Sequence, residues 1–325
     1  MIAYLARRLL YAIPILIGVN LFTFALFFVA NSPDDMARLQ LGIKRVTPEA
    51  IAIWKHAHGY DKPLFYNPAD EGLKRISDTI FFEKSASMFA FDFGRADDGR
   101  DIAREIRMRA GPSLEIALPS FVIGMMTNIT FALLMAFFRA TLLDLWGVVL
   151  CVAAMSISGL FYIIGGQFLV AKLWHWVPIS GFESGLPSLK FVILPVAIGV
   201  VSGIGGGARW YRTLFLEEIG RDYVRTARSK GISELAVLFR HVARNGLIPI
   251  LTGAVVIIPS LFIGSLILES FFGIPGLGSY TLDAINSQDF AVVRSMVFIG
   301  SLLNILGLML TDISYTIADP RIRLQ

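Results

Sequence analysis

Cysteine is almost absent. The one in the chain, Cys151, lies inside an apolar block, so neither an intrachain disulfide nor a Cys-based zinc site can form. Charge is scarce too: Asp, Glu, Lys and Arg make up 17% of the 325 residues, against about 25% in an ordinary soluble domain. The short runs that announce catalysis are missing as well. There is no G-x-x-x-x-G-K-[ST] to cradle ATP phosphates, and no Gly-x-Ser-x-Gly or His-Glu-x-x-His hydrolase signature. No close Ser/Lys, Asp/Asp or His/Glu constellation falls within the apolar blocks, which disfavours an intramembrane enzyme. Any nucleotide chemistry has to come from another chain.

What the chain does have is long apolar runs. Hydrophobic residues make up 55% of it, and the mean hydropathy is +0.65. A bilayer core about 30 Å thick needs roughly 20 apolar residues at helical rise, and six stretches qualify: 9–30, 113–138, 142–171, 189–205, 247–270 and 291–316. The fourth is the shortest and carries Pro195 and several glycines. The first follows Arg7 and Arg8 but exceeds the roughly 7–15 apolar residues of a secretory signal, so it reads as an uncleaved span. The expected fold is an all-α membrane protein with six transmembrane helices.

Lys and Arg in short connections mark the cytoplasmic side. Arg7 and Arg8, Arg139, and Arg321 with Arg323 fall on one side. The connection 206–246 joins them, with Arg209, Arg212, Arg221, Arg225, Arg228, Lys230, Arg240 and Arg244 against Glu217, Glu218, Asp222 and Glu234. The opposite side holds Lys172, Lys190 and Arg294 near span ends, and both termini are predicted cytoplasmic. The chain then divides into a tip and first helix (1–30), an external subdomain (31–112), a membrane core (113–316) and a cytoplasmic tail (317–325).

The external segment is too long for a bare connection. From Asn31 to Glu115 it carries 14 acidic and 13 basic residues, with turn signals at Asn31-Ser32-Pro33, Lys62-Pro63, Asn67-Pro68 and Asp97-Asp98-Gly99. Thr47 is placed to cap a helix over Pro48–His58, and a charged stretch from Asp101 to Arg109 leads into span two. His56 and His58 invite a metal reading, but two histidines without further ligands make a weak site, and no metal is assigned. No internal repeat is evident, which counts against the inverted-repeat secondary transporters.

The informative stretch runs from Asp222 to Pro249. Its first nine residues form helix readily, and Gly231 supplies positive φ where that helix should stop. Ser233 is placed to cap a second helix, with Glu234 at the positive end of its dipole. Leu235, Leu238 and Val242 recur at helical spacing as one apolar stripe. A short helix exposing Tyr223, Arg225, Ala227, Arg228 and Lys230 suits insertion in a groove on a cytoplasmic partner, while a solvated positive-inside loop is the plainer reading. A nucleic-acid role is disfavoured, since a membrane-apposed loop of mixed charge lacks a binding fold.

Resemblance decides between the two readings. Tyr223-Val-Arg-Thr-Ala-Arg-Ser-Lys-Gly231 resembles the coupling-loop (EAA loop) signature of bacterial ABC-importer permeases, in the form found in the binding-protein-dependent peptide/nickel (dipeptide/oligopeptide) group. Arg225-Thr226-Ala227 stands at the positions that give the loop its name. The likeness extends upstream to Ile193-Leu194-Pro195, Arg209 and Arg212, and downstream to His241, Arg244-Asn245 and Ile248-Pro249. It continues through Glu269-Ser-Phe-Phe-Gly-Ile-Pro-Gly-Leu-Gly278, Ala284, Asp289, Asp312-Ile-Ser-Tyr315 and Asp319-Pro320-Arg321. Arg7-Arg8-Leu-Leu, Gly59-Tyr-Asp-Lys-Pro63 and Asp92-Phe-Gly94 resemble the first-subunit type of the group. Gly159 and Tyr162 stand where the third span often carries a proline, and 66–82 departs from the pattern.

The resemblance implies a type I ABC importer permease that moves a peptide or peptide-like solute by alternating access; nickel or an oligosaccharide is the alternative cargo, and a stand-alone ion-coupled transporter the alternative class. It implies a second homologous permease subunit, two cytoplasmic subunits that bind ATP and Mg, and an extracytoplasmic substrate-binding protein. This chain itself would hold no cofactor, no catalytic residue and no nucleic acid, and would sit in lipid in the inner membrane. Tyr223, Arg225, Thr226, Ala227, Arg228, Lys230 and Ser233 would form the ATPase-coupling element, with Gly231 fixing its turn. Glu269, Gly273, Pro275, Gly276 and Gly278 read as the scaffold of an external turn near the gate. Glu115, Asp144 and Glu269 lie near span ends, where water or a neighbouring subunit could satisfy them, and Asp312 would pair or cap. Substrate-binding residues are not assigned.

Overall fold

In the computed structural model, residues 2–29, 31–42, 46–68 and 71–318 are described, those at 2–6, 186 and 315–318 by backbone alone. The tail residues Asp319, Pro320, Arg321 and Arg323 lie outside them. The helices are α1 (Ile2–Phe24), α2 (Pro33–Leu41), α3 (Pro48–His58), α4 (Lys74–Ser77), α5 (Ile80–Lys84), α6 (Ile102–Phe137), α7 (Leu142–Ser156), α8 (Gly159–Gly166) and α9 (Leu189–Ile219). They continue as α10 (Asp222–Ser229), α11 (Glu234–Val237), α12 (Arg244–Ile257), α13 (Leu266–Phe272), α14 (Leu277–Ser287) and α15 (Phe290–Ala318). Among the described residues the only β feature is one bridge between Arg95 and Asp101.

Five helical stretches are long and apolar enough to cross a bilayer: Arg7–Val29, Ile102–Phe137, Leu189–Ile219, Glu234–Ile263 and Phe290–Ser314. The third expected span, 142–171, is not one rod. Leu142–Ser156 and Gly159–Leu173 meet at 88°. No proline breaks it; Ile157 takes an extended conformation, and the Ala154 carbonyl accepts from Ile157 N at 3.4 Å and from the Tyr162 hydroxyl at 2.9 Å. Two further boundaries move. The fourth span continues past Gly205 to Ile219, so 206–219 is helix and not loop. The fifth ends at Ile263, where Gly264 turns with φ +75°, and Glu269 sits on the separate helix α13.

The contacts divide the chain into two units, one built from Met1–Met108 and Thr281–Leu306, the other mainly from Arg109–Tyr280. The first has an aromatic core. Phe24 and Phe28 at the end of the first span pack with Met36, Ala37, Ile51, Trp54, Tyr60 and Ile80, and the Phe28 and Tyr60 rings lie edge to face at 5.1 Å. The predicted cap of α3 is present, with Thr47 accepting from Ala50 N. The Asn20 amide donates to Ser85 O at 3.0 Å, and Arg294 donates to Lys84 O and lies over the Phe28 ring. These bonds tie the segment around Lys84 and Ser85 to Asn20 of α1 and Arg294 of α15.

Small residues set the close approach of helices in the second unit. A Cβ at Gly205 of α9 would stand 2.5 Å from the main-chain oxygen of Cys151 on α7. Backbone cannot yield as a side-chain tip does, and small residues at such crossings let membrane helices pack closely. Gly205→Leu should therefore separate α7 from α9, seen as loss of monodisperse protein on size-exclusion chromatography; Gly203→Leu, where the same test finds no atom within 4 Å, should be tolerated.

Candidate coupling element and carboxylate knot

Helix α10 is amphipathic on a short scale. Val224 is fully buried and Ala227 is 4% exposed, whereas Tyr223, Arg225, Thr226 and Lys230 face outward. The buried pair joins a cluster with Ala132 and Ala136 of α6, Phe215 and Ile219 of α9, Val237, Leu238 and Val242, and Ile250 of α12. One small helix is thus rooted among the ends of three long ones. Burying a valine side chain contributes about 1.5–3 kcal/mol, enough to hold the helix in register with those ends.

Local bonds shape its exposed face. Thr226 Oγ1 donates to Asp222 O at 3.0 Å, and Arg225 lies 3.5 Å from the Asp222 carboxylate. Arg228 reaches across the turn to Glu234 with two bonds of 2.8 and 3.1 Å, tying the end of α10 to the start of α11. The Tyr223 hydroxyl donates to Glu218; burial and that bond push the phenol above its ordinary pKa. Gly231 has φ +76° and open space around its Cβ position, so backbone conformation alone accounts for glycine there.

Three expectations change at this element. Ala227 faces the chain's own core, so it seats the helix and does not belong to its outward face. Ser233 takes the extended backbone of an N-cap, but its side chain makes no cap hydrogen bond. The stripe holds at Leu238 and Val242, which are buried, but Leu235 is 56% exposed and Val237 is buried in its place. The cause is a π turn over Leu238–Ala243, which advances the buried face by one residue so that Val237 and Val242, five apart, share it.

Asp144, expected to be met by water or a neighbour, is paired inside the chain. It accepts two bonds from Arg212 at 2.8 and 2.7 Å and one from Ala140 N at 3.2 Å. Glu269 departs from expectation in the same way. It is 1% exposed and accepts from Ser113 Oγ and Ser265 N at 2.9 Å each and from Ser279 N at 3.1 Å. A Cβ at Gly264 or Gly276 would overlap this carboxylate, and one at Gly278 would press on the backbone of Ser265. Gly273 caps α13 with φ +63°, while Ile274 N bonds back to Glu269 O at 2.9 Å and Pro275 follows in the turn. The turn scaffold read from the sequence is therefore a carboxylate knot joining α6, α13 and α14. Ser113, its other half, is 156 positions away and carries no local signal.

The motif at residues 59–63 is a structural corner. Gly59 ends α3 with φ +68°, Tyr60 is buried, and Lys62 bridges Asp78 at 2.7 Å and Glu83. Burial pushes the Tyr60 phenol up to about 12. His56 and His58 do not converge: His56 Nδ1 meets Asp61 at 2.8 Å, and His58 Nδ1 meets Trp54 O at 2.8 Å. The bond from His56 lowers the Asp61 pKa.

Apolar crossings joined by a basic, membrane-apposed helix pair rooted in the ends of the spans define a membrane-spanning transport component. The chain belongs to the family of binding-protein-dependent transport system inner membrane components, which it matches over residues 114–324; the family's N-terminal component matches residues 1–72. Its fold is the type I ABC importer permease fold, and it is a multi-pass permease subunit of such an importer. It is 32% identical to a permease protein of Brucella abortus (strain 2308) over 99% of both chains. It is 29% identical to the di/tripeptide transport system permease protein DppB of Pseudomonas aeruginosa over 100% of both, and 28% identical to the oligopeptide transport system permease protein AppB of Bacillus subtilis over 99% of both.

Proposed function

We propose that this chain is the first-type permease subunit of an inner-membrane peptide importer, with both termini cytoplasmic. It pairs with a second, homologous permease subunit, receives cargo from an extracytoplasmic binding protein, and is driven by two cytoplasmic subunits that bind and hydrolyse ATP with Mg. The names of its full-length relatives support peptide cargo. The observation that carries the mechanism is the rooting of Val224 and Ala227 among α6, α9 and α12, beneath an outward face of Tyr223, Arg225, Thr226 and Lys230. When the ATPases close, force on that face passes directly to three spans, and the path alternates between its two openings without covalent chemistry. Arg228, held by Glu234, and Ser233 keep the two short helices in register. The Glu269 knot holds the turn at 273–278 fixed against α6.

Gly231 supplies the test. Valine there keeps the surface open but must adopt positive φ at a cost of about 1–2 kcal/mol or more for a β-branched residue. Asparagine, which tolerates that region, should cost little. Peptide-stimulated ATP hydrolysis by the reconstituted complex should fall several-fold in Gly231→Val and stay near normal in Gly231→Asn. Equal activity in both would separate the turn from coupling.

A further inference from the structure

Within the second unit, a cleft of about 400 Å³ lies between α6, α9 and the 260–269 segment. Its oxygen-bearing residues are Ser113, Ser120, Ser202, Ser260, Ser265 and Glu269, and no Lys, Arg or His lines it. Its depth is informative. At 1.5 Å per residue, Ser120 stands roughly 10 Å inside the apolar stretch that begins at Ser113, and Ser202 roughly 20 Å inside the one that begins at Leu189. Hydroxyls gathered at this depth point to a bundle interior or a water-filled path.

Their hydrogen bonds say what they can receive. Ser202 donates to Gly199 O at 3.2 Å and Ser260 to Ile257 O at 2.7 Å, so each spends its proton on its own segment and presents lone pairs outward. Ser120 Oγ is buried with no partner among the described residues. It faces Gly199, where a Cβ would stand 3.2 Å from it and narrow the cleft. The Glu269 carboxylate at one end adds negative potential. The lining therefore offers hydroxyl acceptors and one carboxylate among apolar walls that include Ile116, Phe121, Leu261 and Leu268. Such a surface fits main-chain N–H groups or a terminal ammonium beside apolar side chains, and offers nothing to a free anion.

We infer that this cleft is the mid-membrane station of the translocation path, where Ser120, Ser202 and Ser260 bind the N–H groups of a passing peptide main chain. The inference rests on the peptide-importer reading above.

The test uses the whole reconstituted complex in a Cys151→Ala background, with single cysteines at Ser120, Ser202 or Ser260 and a control at Leu150, 60% exposed on α7 away from the cleft. Labelling by a membrane-impermeant thiol reagent is followed from both sides during ATP turnover, with and without saturating unlabelled peptide. The cleft cysteines should label faster than Leu150→Cys and slow on adding peptide. Ser202→Leu should cut peptide uptake about tenfold, as loss of one or two hydrogen bonds implies, with complex assembly retained. Labelling no faster than the control, or unaffected by peptide, overturns the assignment; cysteines sealed in every condition would mean that a helix of the second subunit fills the cleft, and overturn it too. If the unmodified complex takes up no peptide, the functional reading falls and the cleft with it. If uptake is normal while the cleft cysteines behave as the control, the cleft alone falls.

Discussion

Val224→Asp should abolish peptide-stimulated ATP hydrolysis and strip the ATPase subunits from the purified complex. Val224 is fully buried in a cluster of aliphatic and aromatic side chains. An unpaired carboxylate there costs several kcal/mol, more than the anchoring of an eight-residue helix supplies, so α10 should leave its seat before the charge is buried. The exposed face would still be present in sequence but no longer rooted in the spans. Val224→Ala, which removes about 2 kcal/mol of burial and cavity energy, should give a partial defect. Lys230→Ala, outside the cluster, should weaken ATPase binding without loosening the spans. Co-purification yield and ATPase rate, measured together, check all three; full coupling in Val224→Asp would show that the cluster transmits nothing.

The second large effect belongs to Glu269. Glu269→Gln preserves size but replaces one acceptor oxygen with a donor. Oε1 takes Ser113 Oγ and Ser265 N, and Oε2 takes Ser279 N, so either amide orientation sets a donor against a donor. Each buried group left unsatisfied costs about 1–3 kcal/mol. Glu269→Ala frees all three donors and should cost more, and Gly276→Ala should approach the same loss by pushing the carboxylate from its cradle. The expected readout is a lowered detergent-solubilised melting temperature and loss of transport, in the order Glu269→Gln, then Glu269→Ala. A carboxylate serving only as a surface charge would show neither loss in Glu269→Gln.

Features carried by neighbours in sequence were the readable ones. The cap at Thr47 and the stop at Gly231 each depend on a few adjacent residues and stand in the structure as expected, and five of the six apolar stretches recur as helices long enough to cross a bilayer, with ends moved. What could not be read depends on partners far along the chain. The Asp144–Arg212 pair spans 68 positions and the Glu269–Ser113 bond 156, so both acids looked open to water or to another subunit. The helix past Gly205 was hidden by its glycines, whose low propensity is outweighed by close packing on α7. The bend at Ile157 and the π turn at Leu238–Ala243 lack proline, the usual local mark of a broken helix. On helix α10 the outward placement of Tyr223, Arg225 and Lys230 was legible, but the inward turn of Ala227 was not.

The central claim is that the outward face of α10 couples this permease to ATP hydrolysis elsewhere. The most direct measurement is peptide uptake into proteoliposomes under two conditions: the complete complex with ATP supplied to its ATPase subunits, and this chain alone under a proton or sodium gradient. Uptake only in the first, lost on Val224→Asp, is the predicted result. Gradient-driven uptake by this chain without ATPases would contradict it.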